Sequence, residues 1–310
     1  MQYRKLGQTD LTVSILGFGS SPLGDVYSIV NAEEAERAVA LAIDEGINFF
    51  DVSPYYGANL AEQRLGKALK GRRSKVVLAT KCGRYGLNDF DFSAQRITNS
   101  IDESLRRLLT DHVDLLQVHD VEFGTVQQIV EETLPALRRL QKQGKARYIG
   151  ITGYSLKTLV EIASAAPVDS ILTYCRYNLM VSDMDKVLTP FAQKHGVGLI
   201  NASGLHMGVL TDKGAPGWHP APQLVRESGR KAASFCREHG ENISSIALRY
   251  CLDHNYVSST LVGMCTQKEV LDNLASTYRL ADPGLVNSIQ RLMQPALEYV
   301  WPSGRPENYG

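Results

Sequence analysis

Eight short apolar runs, rich in Val, Ile and Leu and without alternating polarity, recur along this 310-residue chain, with helix-like segments between them. They lie at 15–19, 47–51, 76–81, 113–118, 147–152, 169–174, 197–202 and 259–263. Runs of this kind read as strands buried on both faces, as in a parallel sheet covered by helices. The intervening segments carry helix signals. Asn31 with Glu34 makes a capping-box pattern, and Gly46 supplies a stop. Ser93 precedes a stripe of Ile97, Ile101, Leu105 and Leu108. The helix expected over 127–143 closes with Lys142 and Gly144, and Ser155, Asp183 and Thr266 can start three later helices. Eight strand–helix units in about 265 residues predict an α/β chain folded as a (β/α)8 barrel, one domain over 1–310. The rival, an open doubly wound sheet, expects a Gly-rich phosphate loop after its first strand. Here Gly17-Phe18-Gly19 runs into Ser20, Ser21 and Pro22 instead. A hairpin with its turn at 8–10 is expected across the barrel bottom. Two long stretches, 204–223 and 295–310, are expected as loops over the opposite face.

Bulk properties narrow the partners. The 33 basic and 33 acidic residues balance, so no global field draws nucleic acid or an anionic membrane surface. The cluster at 70–73 reads as a solvated loop. No apolar run approaches the ~20 residues of a membrane span, and the N-terminus lacks the pattern of a signal or transit peptide. Five cysteines, odd in number and without a C-x-x-C pair, predict free thiols in a reducing compartment, by default the cytoplasm. A small-molecule ligand is the expected partner.

Three of the runs end in ionisable residues: Asp51, Lys81 and His119. Tyr56 follows Asp51 by five positions. In a parallel barrel all strand C-termini open on one face, so an acid, an amine, an imidazole and a phenol converge there. Tyrosine titrates near 10. Bringing it to about 7 takes roughly 4 kcal/mol, which an ammonium ~4 Å away supplies at an effective dielectric near 20. Lys81 is the expected source, held by Asp51, with His119 orienting a substrate oxygen. His119, Asp120 and Glu122 have metal-ligand chemistry, but no second His or Cys cluster accompanies them, so no metal is expected. A serine hydrolase elbow G-x-S-x-G is absent.

The segments FFDVSPYYG, VVLATKCG and VDLLQVHD, in this order, resemble the catalytic segments of the aldo-keto reductase family. That resemblance implies a (β/α)8 barrel binding a nicotinamide cofactor, with Asp51, Tyr56, Lys81 and His119 as its catalytic tetrad. It further implies cofactor contacts at Ser20, Thr152, Tyr174, Ser203, Leu205, Gly208, Gly263, Met264, Glu269 and Asn273. Two departures stand out. GITGY at 150–154 puts Thr152 and Gly153 where the family usually has serine and asparagine. Gly263, Met264 and Glu269 stand where NADPH-using members carry lysine, serine and arginine. A 2′-phosphate would meet the Glu269 carboxylate, so NAD is the expected cofactor. Segments such as HDVEFG, PGWHPAP and WPSG are most similar to sugar dehydrogenases within the family. This implies oxidation of an aldose at C1, L-galactose or a similar sugar; since a polyol needs hydrogen-bonding groups as well as shape, Tyr85, His119, Asp120, Glu122 and Trp301 are the candidate substrate contacts. An NADPH-dependent carbonyl reductase and a nucleotide-sensing channel subunit are the alternatives.

Overall fold

The computed structural model describes residues 1–309. Strands β1 (Tyr3–Lys5) and β2 (Thr12–Ser14) pair antiparallel. The connection between them is wider than the expected 8–10 turn, since Leu6 N donates to Leu11 O and Thr9 N to Leu6 O. Gly7 sits at φ +56 against the barrel, where a Cβ would lie 2.3 Å from Gly198 N.

Eight parallel strands follow: β3 (Leu16–Gly19), β4 (Phe49–Asp51), β5 (Val77–Cys82), β6 (Val113–Val118), β7 (Ala146–Gly153), β8 (Ser170–Tyr174), β9 (Gly198–Ala202) and β10 (Ser259–Gly263). Each pairs with the next in sequence, and β10 pairs back with β3, closing the barrel. Between and around them run α1 (Ala32–Asp44), α2 (Leu60–Ala68), α3 (Ala94–Leu108), α4 (Val126–Gln128), α5 (Leu134–Lys142), α6 (Leu156–Ala165), α7 (Met184–His195), α8 (Gln223–Glu238), α9 (Ile243–Leu252), α10 (Gln267–Ala275) and α11 (Pro283–Met293).

Alternation along the strands decides what points inward. Phe49, Ala79 and Leu115 pack inside the barrel with Leu6, Leu11 and Val13 of the hairpin, which therefore fills the floor. Two residues further along the same strands, the same face carries Asp51, Lys81 and Gln117. The pairing register sets Asp51 opposite Ala79 and Lys81 opposite Gln117. The chemistry at the mouth is thus one layer above an apolar plug.

Three details depart from expectation. The helix over 127–143 is interrupted by a π-helical turn at Ile129–Thr133, whose Thr133 hydroxyl donates to Phe92 O at 2.6 Å. Asp183 makes no side-chain cap bond to α7 and instead pairs with Arg176 at 2.6 Å. Helices α8 and α11 are additions to the eight-unit pattern and form a second apolar core around Val225, Ala232, Val286 and Ile289. Among the described residues no helix is long and apolar enough to cross a membrane.

Candidate active site

At the C-terminal end of β5 the Lys81 ammonium is enclosed by oxygen atoms. It is ion-paired with Asp51, donates to Val52 O at 3.0 Å, and lies 3.4 Å from the Tyr56 hydroxyl. Gln117 fixes the other Asp51 oxygen from 2.9 Å. Burial pushes the Asp51 carboxyl up, with Lys81 and Gln117 opposing. The Tyr56 phenol is likewise pushed well above the ordinary tyrosine range, first by burial and then by the Asp51 and Asp120 charges. This corrects the expectation of an acidified phenol. Enclosure costs the phenolate its hydration, and the nearby Asp51 and Asp120 carboxylates oppose a second negative charge.

His119 stands edge-on to Tyr56, centroids 5.9 Å apart. Its Nδ1 is 3.0 Å from the hydroxyl of Ser53, which itself accepts from Tyr55 N. Ser53 is wholly buried, and its proton would have no acceptor unless it went to Nδ1. That arrangement places the imidazole proton on Nε2. Burial, opposed by Asp120 and assisted by Lys81 and Arg84, lowers the His119 pKa to about 3, so the ring is neutral at physiological pH. Nε2 lies 3.7 Å from Asp120. Ser53 and Gln117 were not anticipated. Both stand two residues from a tetrad member on the same alternating face, so period-two counting could have found them. Arg84, also unanticipated, pairs with Asp120 and stacks 3.9 Å from the Tyr55 centroid. It comes from an irregular loop that no periodicity marks.

The expected substrate contacts divide. His119 and Asp120 are at the mouth. Tyr85 is turned away: its hydroxyl accepts from Gly83 N at 3.1 Å and its ring lies 3.9 Å from the Arg96 guanidinium of α3. Glu122 is wholly buried, its Oε1 accepting from Tyr154 N at 3.0 Å and Ser303 Oγ at 3.1 Å. Trp301 stacks on Tyr154 at 4.9 Å, and Tyr154 leans on Tyr174 at 5.4 Å. No cluster of potential metal ligands is present among the described residues.

The sequence profile of the Aldo/keto reductase family matches residues 15–292. The chain belongs to this family. It is 44% identical to the L-galactose dehydrogenase of Arabidopsis thaliana, with 99% of each chain covered. It is 29% identical to the D-arabinose 1-dehydrogenase of Saccharomyces cerevisiae, covering 99% of this chain and 98% of the relative. Among solved structures, an aldo-keto reductase of Bacillus halodurans in its holo form superposes with a TM-score of 0.80 at 29% identity, covering 97% and 98%. Oxidoreductase chemistry with a nicotinamide cofactor is therefore the property of the chain's family.

The residues expected to hold that cofactor fit an aldo-keto reductase unevenly. Ser20, beside Asp51 at the end of β3, has a buried hydroxyl without a partner. Ser203, His206, Met207 and Gly208 all adopt left-handed backbone, a strained loop above β9 of the kind found at ligand clamps. Thr152 has its hydroxyl engaged by Asp120 N at 3.1 Å, and Met264 packs wholly within the core with its backbone N donating to Gly19 O at 3.4 Å. The clearest difference is Glu269. Its carboxylate folds back to accept from Cys265 N at 2.8 Å and Thr266 N at 3.1 Å, completing a capping box on α10. Glu34 of α1 takes the next backbone N–H, Gln267 N, at 2.8 Å. Closure of β10 onto β3 brings these two helices together. Lys268 is tied to Asp272 at 2.6 Å.

Proposed function

We propose that this chain oxidises L-galactose at C1 to L-galactono-1,4-lactone, a precursor of ascorbate, with NAD as the hydride acceptor. The observation that carries this reading is the cluster of half-buried Tyr56 with buried Lys81, Asp51 and His119 at the mouth, in a chain similar over nearly its whole length to an L-galactose dehydrogenase. The bound nicotinamide supplies the acceptor for the hydride that leaves C1. Tyr56 Oη takes the proton of the C1 hydroxyl. Tyr56 enters this step as the phenolate and leaves it as the phenol; Lys81, braced by Asp51 and the Val52 carbonyl, faces the phenolate before the proton arrives, and the neutral His119 donates from Nε2 to the sugar oxygen. Asp120 offers a carboxylate to neighbouring hydroxyls.

The preference for NAD rests on charge. A 2′-phosphate reaching the start of α10 would compete with two carboxylates, Glu269 and Glu34, for the backbone donors a phosphate favours. A ribose diol carries no such conflict. The five unpaired, buried cysteines support placing the enzyme in the cytoplasm.

The test is a panel of initial rates with L-galactose, L-fucose and D-arabinose, each with NAD and NADP. Fastest turnover with L-galactose and NAD is expected. Faster reduction of simple carbonyls by NADPH than oxidation of any aldose would point to a reductase instead.

A further inference from the structure

After Trp301 the chain lies back across the barrel mouth, and one residue fastens it. The Glu122 carbonyl accepts from Arg305 N at 2.9 Å and from Asn308 Nδ2 at 2.7 Å, and the same Asn308 amide reaches Gly124 O at 2.9 Å. The Glu122 carboxyl accepts from Ser303 Oγ at 3.1 Å. Asn308 O in turn accepts from Thr158 Oγ1 of α6 at 3.3 Å. Gly304, at φ +86, lets the two backbones pass, since a Cβ there would lie 2.3 Å from Glu122 O. Glu122 therefore holds the segment through both its side chain and its backbone.

The same carboxyl organises a row of rings. Tyr154 N donates to it at 3.0 Å and the Tyr174 hydroxyl lies 3.5 Å away. Tyr174 closes β8 at the mouth, Tyr154 leans on it, and Trp301 stacks on Tyr154 with its backbone N–H donating to the Tyr154 hydroxyl at 3.2 Å. Glu122 has no cation partner, and its Oε2 is buried without any partner. Burial, then the Asp120 charge, pushes its pKa well above the usual carboxylate range, which favours the uncharged form. An uncharged carboxyl suits an anchor inside a wall better than a ligand for a polar sugar.

We infer that Glu122 is a positioning residue: it buttons residues 301–309 onto the barrel so that Trp301, Tyr154 and Tyr174 form the aromatic wall of the substrate mouth. That the wall meets a sugar rests on the proposed function; the fastening itself does not. In the whole chain, Asn308→Ala and Gly304→Ala should speed amide exchange of residues 299–309 by about tenfold. They should also raise the KM for L-galactose about tenfold, leaving kcat and the KM for NAD within about twofold. Glu122→Ala should behave alike, and Glu122→Gln, a neutral isostere, should restore both readouts. Should Glu122→Ala not fold, the two tail variants decide alone. Faster tail exchange with an unchanged sugar KM overturns the wall. Loss of sugar binding in Glu122→Gln with a protected tail overturns the positioning role, because the carboxyl would then touch the sugar itself. If no aldose is oxidised by the unaltered chain, the functional reading fails while amide exchange still decides the fastening.

Discussion

The floor and the mouth of the barrel both hold a buried aspartate paired with cations, yet the two carboxylates are perturbed in opposite directions. At the floor, Asp114 receives Arg73 at 2.9 Å, Arg147 at 2.7 Å and Leu78 N at 2.9 Å. Burial pushes its pKa up, but these donors more than cancel the effect and hold it below the usual range. Both guanidiniums remain partly in water, with side-chain exposures of 22% and 41%. At the mouth, Asp51 has one ammonium, exposed by 1%, and one amide; burial wins and its pKa rises. Full satisfaction at the floor makes a structural clamp. Incomplete solvation at the mouth leaves neighbouring groups displaced as well: Tyr56 upward, His119 downward. Displaced groups clustered in one cleft are the signature of chemistry, while a satisfied pair is the signature of stability.

The sharpest separation of the two ends comes from Tyr56→Phe, which removes only the proton acceptor. Turnover should fall ~10²–10⁴-fold, with nucleotide affinity and thermal midpoint nearly unchanged, measured by steady-state rates, nucleotide titration and calorimetry.

The pH response follows from the direction of the Tyr56 shift. Oxidation needs the phenolate, and the phenol is pushed up. The kcat/KM for sugar oxidation should therefore climb from about pH 7 to about pH 9, approaching tenfold per unit. His119, lowered to about 3, should add no limb near neutrality. A flat profile across that window would remove proton transfer to Tyr56 from the rate.

At the rim, Glu269→Arg should improve the NADP-to-NAD ratio of kcat/KM about tenfold, and adding Glu34→Gln should extend the gain. Equal effects on both nucleotides would place these carboxylates away from the cofactor.

The smallest effect on rate belongs to the floor. Asp114→Asn should leave kcat within about twofold but cost about 1–2 kcal/mol of stability. Because Asp114 is held below its unfolded value, its contribution is fully present above that value. It fades as pH falls through the folded one, so the variant and the parent should converge in acid.

Much of this was legible in the residues. Strands buried on both faces announce themselves as unbroken apolar runs, and β10 spans the expected 259–263. Asp51, Lys81 and His119 terminate such runs, and closure of the barrel alone brings them together. What stayed hidden depends on contacts distant in sequence. Nothing local to Glu269 says that its carboxylate caps its own helix beside Glu34, more than two hundred positions earlier. Glu122 looks like a mouth residue because it follows His119 and Asp120. The turn at Asp120, left-handed at φ 52, carries it beneath the tail instead. The phenol's upward shift stayed hidden because its first cause is enclosure, with the Asp51 and Asp120 charges after it, and enclosure depends on contacts distant in sequence.

The most direct measurement is the fate of deuterium placed at C1 of L-galactose. The account predicts that the label moves to the nicotinamide with a primary isotope effect in the unaltered chain, and that this transfer slows by at least about a hundredfold in Tyr56→Phe. Label retained on the sugar, or transfer at an equal rate without the Tyr56 hydroxyl, would contradict it.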